Sequence, residues 1–175
     1  MSFEIMNCNP DAHAATVREI FNDAIVNTTA LYDYQPRSAA TVLQWFGAKA
    51  QGGYPVIGAV DPQGRLLGFA SWGPFRNWPA YKYTVEHSVY VHRDHRRQGV
   101  ARVLLQRLIE LAAARERHVL IGGIDVDNAA SIALHRQLGF RLAGTIEHAG
   151  FKFGRWLDLA FYQLTLPAPQ RPTDG

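Results

Sequence analysis

The sequence predicts a mixed α/β layer fold around a central sheet. Two observations carry this. Stretches with apolar residues at helical spacing alternate along the chain with short β-rich runs. One pair of those runs is joined by a turn sequence that makes a hairpin. At 175 residues the chain is read as one domain over 1–166, long enough to bury a core. The last stretch, "PAPQRPTDG" at 167–175, predicts a disordered Pro-rich tail.

The elements follow in order. "FEIMNC", residues 3–8, predicts a first strand. Asp11 to Asn27 places Val17, Ile20, Phe21, Ala24 and Ile25 on one helical face. Ser38 is an N-cap for a second helix that runs through Ala50 and stops at Gly52-Gly53. "PVIGAV" and "LLGFASW" are strands joined by "DPQG". "TVEHSVYV", 84–91, is a β-rich strand. From about Gln98 to Arg115, Val100, Leu104, Leu108 and Leu111 form one apolar stripe, flanked by Leu105, Ile109 and Ala112. "HVLIGGI" is a buried strand, and "NAASIALHRQLGF" a short helix closed by Gly139 in a left-handed cap. Strands near 140–149 and 158–166 complete the sheet.

Composition narrows the function classes. A net charge of +3 and 19% charged residues fit an ordinary globular protein and fall short of a nucleic-acid-binding surface. The lone Cys8 leaves no disulfide within these residues and suits a reducing compartment. No secretory signal and no run of membrane-spanning length is visible, so a cytoplasmic protein without a membrane partner is expected. His87, His92 and His95 lack the spacing of a compact ligand set, so no metal is expected.

One stretch carries charge and bare backbone together: "HRRQGVARVLLQRLI", 95–109. A helix N-terminus leaves N–H groups without internal partners and adds the positive end of the dipole. Gly99 lets a ligand approach the backbone, and Arg96, Arg97 and Arg102 add charge around the same turn. The combination forms a diphosphate cradle. It is neither a P-loop nor a dinucleotide fingerprint, and the plainer alternative is a basic turn before a surface helix.

The order of elements around this turn resembles the GNAT acyltransferases, whose R/Q-x-x-G-x-G/A signature is met by Arg96, Gly99 and Ala101. Three segments, "TVEHSVYV", "SIALHRQLGF" and "KFGRWLD", resemble the phosphinothricin and methionine sulfoximine N-acetyltransferase branch of that family. The resemblance implies a central sheet flanked by helices on both faces. It also implies transfer of an acetyl group from acetyl-CoA to the α-amine of a small amino acid or analogue, and a homodimer. A peptide or protein N-terminal acetyltransferase, or a non-catalytic CoA-binding module, are the alternatives on the same fold.

The transfer needs a base for the amine, donors for the oxyanion and a proton for the departing thiolate. Glu86 is the candidate base. Strands deplete Glu, and burial would raise its pKa toward a useful range. The competing reading is a solvated strand end paired with an arginine. His135 takes the position where many GNAT enzymes carry tyrosine, and could serve as acid or base; a packed core histidine is the plainer alternative. Which of Glu86 and His135 takes the amine proton stays open. Asn128, about two helical turns before His135, is a CoA-contacting amide, a helix cap, or both. The resemblance assigns the backbone of Val89, Tyr90 and Val91 to the pantetheine arm and thioester, and Arg96, Arg97, Gln98, Gly99, Val100, Ala101 and Arg102 to the diphosphate. Substrate falls to Arg76, Asn77 and Trp78 in the aromatic stretch "WGPFRNWPAYKY", and to Glu86, His87 and Ser88. Lys152 or Arg155 could join the site from the same or a partner subunit.

Overall fold

The computed structural model describes residues 2–174. Among them, seven strands form one sheet in the order β1-β2-β3-β4-β5-β7-β6. The strands are β1 (Glu4–Asn7), β2 (Val56–Val60), β3 (Leu66–Pro74), β4 (Thr84–Val91), β5 (Val119–Asp125), β6 (Arg141–Lys152) and β7 (Arg155–Thr165). The α-helices are α1 (Pro10–Asn27), α2 (Ala39–Gln51), α3 (Val100–Ala114) and α4 (Ala129–Gln137). The sheet is mixed: β4 pairs with β5 in parallel, while β1–β2, β2–β3, β5–β7 and β6–β7 are antiparallel. The chain forms two compact units, one ending at Gly73 and resuming over Ser88–Leu108, the other made of Pro74–His87 and the chain from Ile109 on.

The first unit is held by an aromatic core. α1 begins where Asn9 caps it, its side chain accepting from Asp11 N–H at 2.9 Å, with Pro10 at the first helical position. The helix buries Val17, Ile20 and Phe21 against Val42 and Phe46 of α2 and Val56, Val60, Leu66 and Phe69 of the sheet. Phe21 meets Phe69 and Trp45 edge-on, with centroids 4.9 and 5.2 Å apart. Burying a ring of this kind contributes about 1.5–3 kcal/mol. The β2–β3 turn follows from its sequence: Asp61 accepts N–H groups from Gln63 and Arg65 at 2.9 Å, and Gly64 sits at φ 78°. Gly68 on β3 lets the β4 end pack closely, since a Cβ there would lie 2.8 Å from the Tyr90 carbonyl oxygen.

In the second unit β5 is the central strand, paired along Val119–Asp125 with β7 and over Val119–Ile121 with Thr84–Glu86 of β4. The last two strands are longer than their sequence suggests. They meet in a two-residue turn, Phe153–Gly154, with Lys152 opposite Arg155 and φ of 51° and 74°. That is the geometry of a tight hairpin turn with both residues left-handed, and a phenylalanine in the first place hides it from a sequence reading. α3 starts two residues later than expected because Arg97 and Gly99 are themselves left-handed, at φ 62° and 80°. Beyond Leu166 the chain is irregular, yet the stretch expected to be disordered is tied at one point. Thr173 N–H donates to Tyr83 Oη at 3.1 Å, and its hydroxyl accepts from Lys82 Nζ at 3.0 Å.

Candidate active site

Cradle groups lie in the first unit. In the turn from His92 to Gly99, Arg93, Asp94 and Arg96 to Gly99 are exposed while His92 and His95 are half-buried, and the first helical hydrogen bond runs from Val103 N–H to Gly99 carbonyl at 3.2 Å. The N–H groups of Val100, Ala101 and Arg102 precede it and therefore have no partner within the helix. Glycine is favoured at position 99: its φ of 80° strains any side chain, although a Cβ would meet nothing within 4 Å. The positive charge of the turn is less free than its sequence suggests. Arg96 donates to Asp23 of α1 at 2.6 Å, and Arg93 stands 3.9 Å from Asp23 and 4.0 Å from Glu19. Arg97 and Arg102 are exposed at the helix start. Ser88, Val89, Tyr90 and Val91 are half-buried on the end of β4 in the same unit, and the Tyr90 ring packs on Phe21 and Phe69. An open groove of about 690 Å³ along α1 is lined by Asn22, Asp23, Arg37 and Arg93. Arg37 in it pairs with Asp33, and Arg93 stands near Asp23.

The titratable groups lie in the second unit. Glu86 is half-buried on β4, and burial pushes its carboxyl above the usual range while Arg76 draws it partly back. Arg76, Asn77 and Trp78 form an exposed loop; the Arg76 guanidinium lies 4.5 Å from the Phe75 ring centroid and donates to the Phe75 carbonyl at 3.3 Å. Phe75 in turn packs edge-on against Tyr81 and Phe161. The aromatic stretch thus shelves an arginine whose charge is felt at Glu86.

His87, expected beside substrate, instead turns inward. Its Nε2 lies 2.9 Å from Nε2 of His135, and the two rings are nearly parallel at 5.1 Å. Only 6% of His87 and 5% of His135 is exposed, so neither ring opens to solvent. Burial, then the neighbouring His135, push the His87 pKa down to about 3. Burial also lowers that of His135, opposed by the Ser131 carbonyl. Asn128 caps α4, its side chain accepting from Ser131 N–H at 3.1 Å. Lys152 is buried, while Arg155 pairs with Asp127 of its own chain at 2.9 Å. Among the described residues no cluster of three or more His, Cys, Asp or Glu could hold a metal ion. No helix among them is long and apolar enough to cross a membrane.

Residues 15–140 match the acetyltransferase (GNAT) family. The chain belongs to that family. Relatives agree with the branch suggested by the three sequence segments. An L-methionine sulfoximine/L-methionine sulfone acetyltransferase of Pseudomonas paraeruginosa is 50% identical over 147 residues, covering 84% of this chain and 86% of that protein. The structure of an acetyltransferase from Acinetobacter baylyi superposes with a TM-score of 0.98 at 57% identity, covering 99% and 98% of the two chains. A GNAT phosphinothricin acetyltransferase of Sinorhizobium meliloti, solved with acetyl-CoA, gives 0.93 at 34% identity over 100% of this chain and 95% of that one.

Two glycines of this GNAT chain escaped the sequence reading. A Cβ on Gly122 would lie 3.0 Å from His87 Cε1 and 3.1 Å from His135 Nε2, and one on Gly123 would lie 3.3 Å from Glu86 Oε1. Glycine inside a strand marks close approach by another group. "HVLIGGI" carries that signal inside a run whose composition announces only a buried strand.

Proposed function

We propose that this chain transfers the acetyl group of acetyl-CoA to the α-amine of methionine sulfoximine, methionine sulfone, phosphinothricin or a similar small amino acid, by direct attack in a ternary complex. The observation that carries this is Glu86: a half-buried carboxyl, raised in pKa, with Arg76 close enough to act on its charge. A zwitterionic substrate needs that combination, a base for its ammonium and a cation for its carboxylate or polar head.

One proton of the ammonium passes to Glu86, directly or through water, and on to solvent. The free amine attacks the thioester carbonyl carbon, and the carbon–sulfur bond breaks as the tetrahedral intermediate collapses. The second proton leaves the nitrogen for Glu86 and is carried to the sulfur, so a single carboxyl serves both halves. N–H groups of Val89, Tyr90 and Val91 stabilise the oxyanion and hold the pantetheine arm. Diphosphate binds the N–H groups of Gly99, Val100, Ala101 and Arg102, with the Arg97 and Arg102 side chains and Gln98 around it; Arg96 joins by leaving or sharing Asp23. Asn77, Trp78 and Ser88 shape the acceptor side. We read the enzyme as a homodimer, because β6 and β7 present Leu142, Ile146, Phe151 and Trp156 to solvent.

The test is thiol release from acetyl-CoA against methionine sulfoximine, methionine sulfone, phosphinothricin, plain amino acids and a peptide with a free N-terminal alanine. Turnover confined to the tetrahedral-headed analogues is expected. Turnover on the peptide alone would transfer the assignment to N-terminal acetylation.

A further inference from the structure

His87 and His135 face each other through their Nε2 atoms, and two protons have to be shared among four ring nitrogens if both rings are neutral. His135 Nδ1 lies 2.7 Å from the Ser131 carbonyl oxygen, which can only accept, so Nδ1 carries the hydrogen. The neutral His135 ring then has its lone pair on Nε2. At 2.9 Å the facing Nε2 of His87 must be the donor, because two lone pairs would repel. His87 Nδ1 is left as a bare acceptor, and it has no hydrogen-bond partner among the described residues. The Ile121 backbone hydrogen-bonds the His87 ring and favours its charged form, but less than burial disfavours it.

We propose that His87 is a positioning residue: its Nε2–H donates to His135 Nε2, occupies the last free nitrogen of that ring, and pins β4 to α4 immediately after Glu86. His135 then handles no substrate proton of its own. Three features show that the pair has a built seat. Phe140 packs against both rings, at 5.2 and 5.0 Å. Gly122 leaves the space that a Cβ would fill. The Ser131 carbonyl fixes the tautomer. Consecutive strand residues point to opposite faces, so His87 is anchored on one side of β4 while Glu86 stands on the other, next to Gly123. The neighbouring glycines of β5 thus serve the two faces in turn, one giving room to the imidazoles and the next to the carboxylate.

The functional part rests on Glu86 as the base, whereas the tautomers can be read without any activity. Long-range ¹H–¹⁵N correlation spectra of the full-length, histidine-labelled protein at pH 8 should show His87 with its proton on Nε2 and His135 with its proton on Nδ1. His87→Phe should lower kcat roughly 10-fold through misplacement of the base. It should also shift the acid limb of kcat/KM, with KM for acetyl-CoA changed less than about twofold, since the diphosphate groups are elsewhere. His87→Gln, which keeps a terminal N–H donor, should recover most of kcat. Gly122→Ala should disturb the two ¹⁵N signals while leaving both rings in the chain. The proposal is overturned by a proton on His135 Nε2, or by a His87→Phe enzyme with unchanged kcat and acid limb. Full turnover in Glu86→Gln would instead remove the base assignment, leaving the tautomers to be judged by the spectra.

Discussion

Glu86 and the histidine pair are ionisable groups moved in opposite directions by one cause, burial, and each leaves a different pH signature. The Glu86 pKa is raised, and the base proposed here must be deprotonated to act. Activity should therefore fall with decreasing pH at values above the ordinary glutamate range, and Glu86→Gln should lower kcat by roughly 10²-fold or more. A kcat/KM profile of the wild type, with turnover of the variant at its optimum, checks both. The same group affects stability with the opposite sense of pH. Its folded pKa exceeds the unfolded one, so its contribution is full at low pH and is lost as pH rises through the folded value. Glu86→Gln should thus be less active yet more heat-stable at pH 7. For His87 and His135 the folded pKa values are depressed, the former from 6.5 to about 3. Below the unfolded value of 6.5 the unfolded chain gains protons that the folded pair refuses, and stability is lost as pH falls. The steepest slope is about 1.4 kcal/mol per pH unit for each ring. Chemical denaturation at pH 7 and pH 5 should show this loss in the wild type, and a smaller one in His87→Phe.

At the scale of elements, the start of α3 is where backbone geometry and the proposed diphosphate binding depend on the same residue. Gly99→Ala places a side chain at φ 80°, which costs about 1–2 kcal/mol. The melting temperature should drop by roughly 2–4 °C per kcal/mol. KM for acetyl-CoA should rise, because the N–H groups of the first turn move with the backbone, while the dependence on acceptor amine stays as it was. An unchanged acetyl-CoA KM would detach the turn from diphosphate binding. This turn, α1, α2 and β4 were legible in the sequence because each rests on local signals: Gly99 after a basic run, the apolar stripe of α1, Ser38 before α2, and β-branched residues in "TVEHSVYV". What stayed hidden depends on residues distant in the chain. Arg96 looks free until Asp23, 73 positions earlier, is folded against it. His87 looks like a substrate contact until His135, 48 positions later, takes its Nε2. The β6–β7 hairpin looks shorter in the sequence than it is, because its turn places Phe153 where asparagine or glycine would announce a left-handed residue.

At the scale of the whole molecule, that hairpin is the surface that asks for a partner. β6 lies at the edge of the sheet with only β7 beside it, and Arg141 to Ala149 are all exposed. An edge strand of this length is ordinarily blunted by charge or cover, yet Leu142 and Ile146 are half-exposed here and Phe153 and Trp156 more than half. Phe153 also holds a left-handed conformation that glycine would adopt without strain, which is consistent with a side chain kept for contact. In sedimentation equilibrium the protein should therefore behave as twice its 19.6 kDa chain. The double substitution Leu142→Lys, Ile146→Lys should bring it to the single-chain mass, because it introduces two charges into an apolar contact without touching the buried side chains of the unit. Acetyl-CoA affinity should survive in that monomer, since the groups assigned to the diphosphate belong to α3 and its preceding turn. Turnover then reports on the partner. If it survives as well, each chain carries a complete site, as the pairing of Arg155 with Asp127 of its own chain suggests; if it is lost while binding remains, the second copy supplies part of the acceptor side. A wild-type protein sedimenting at the single-chain mass would rule out the dimer and leave the apolar hairpin to another ligand.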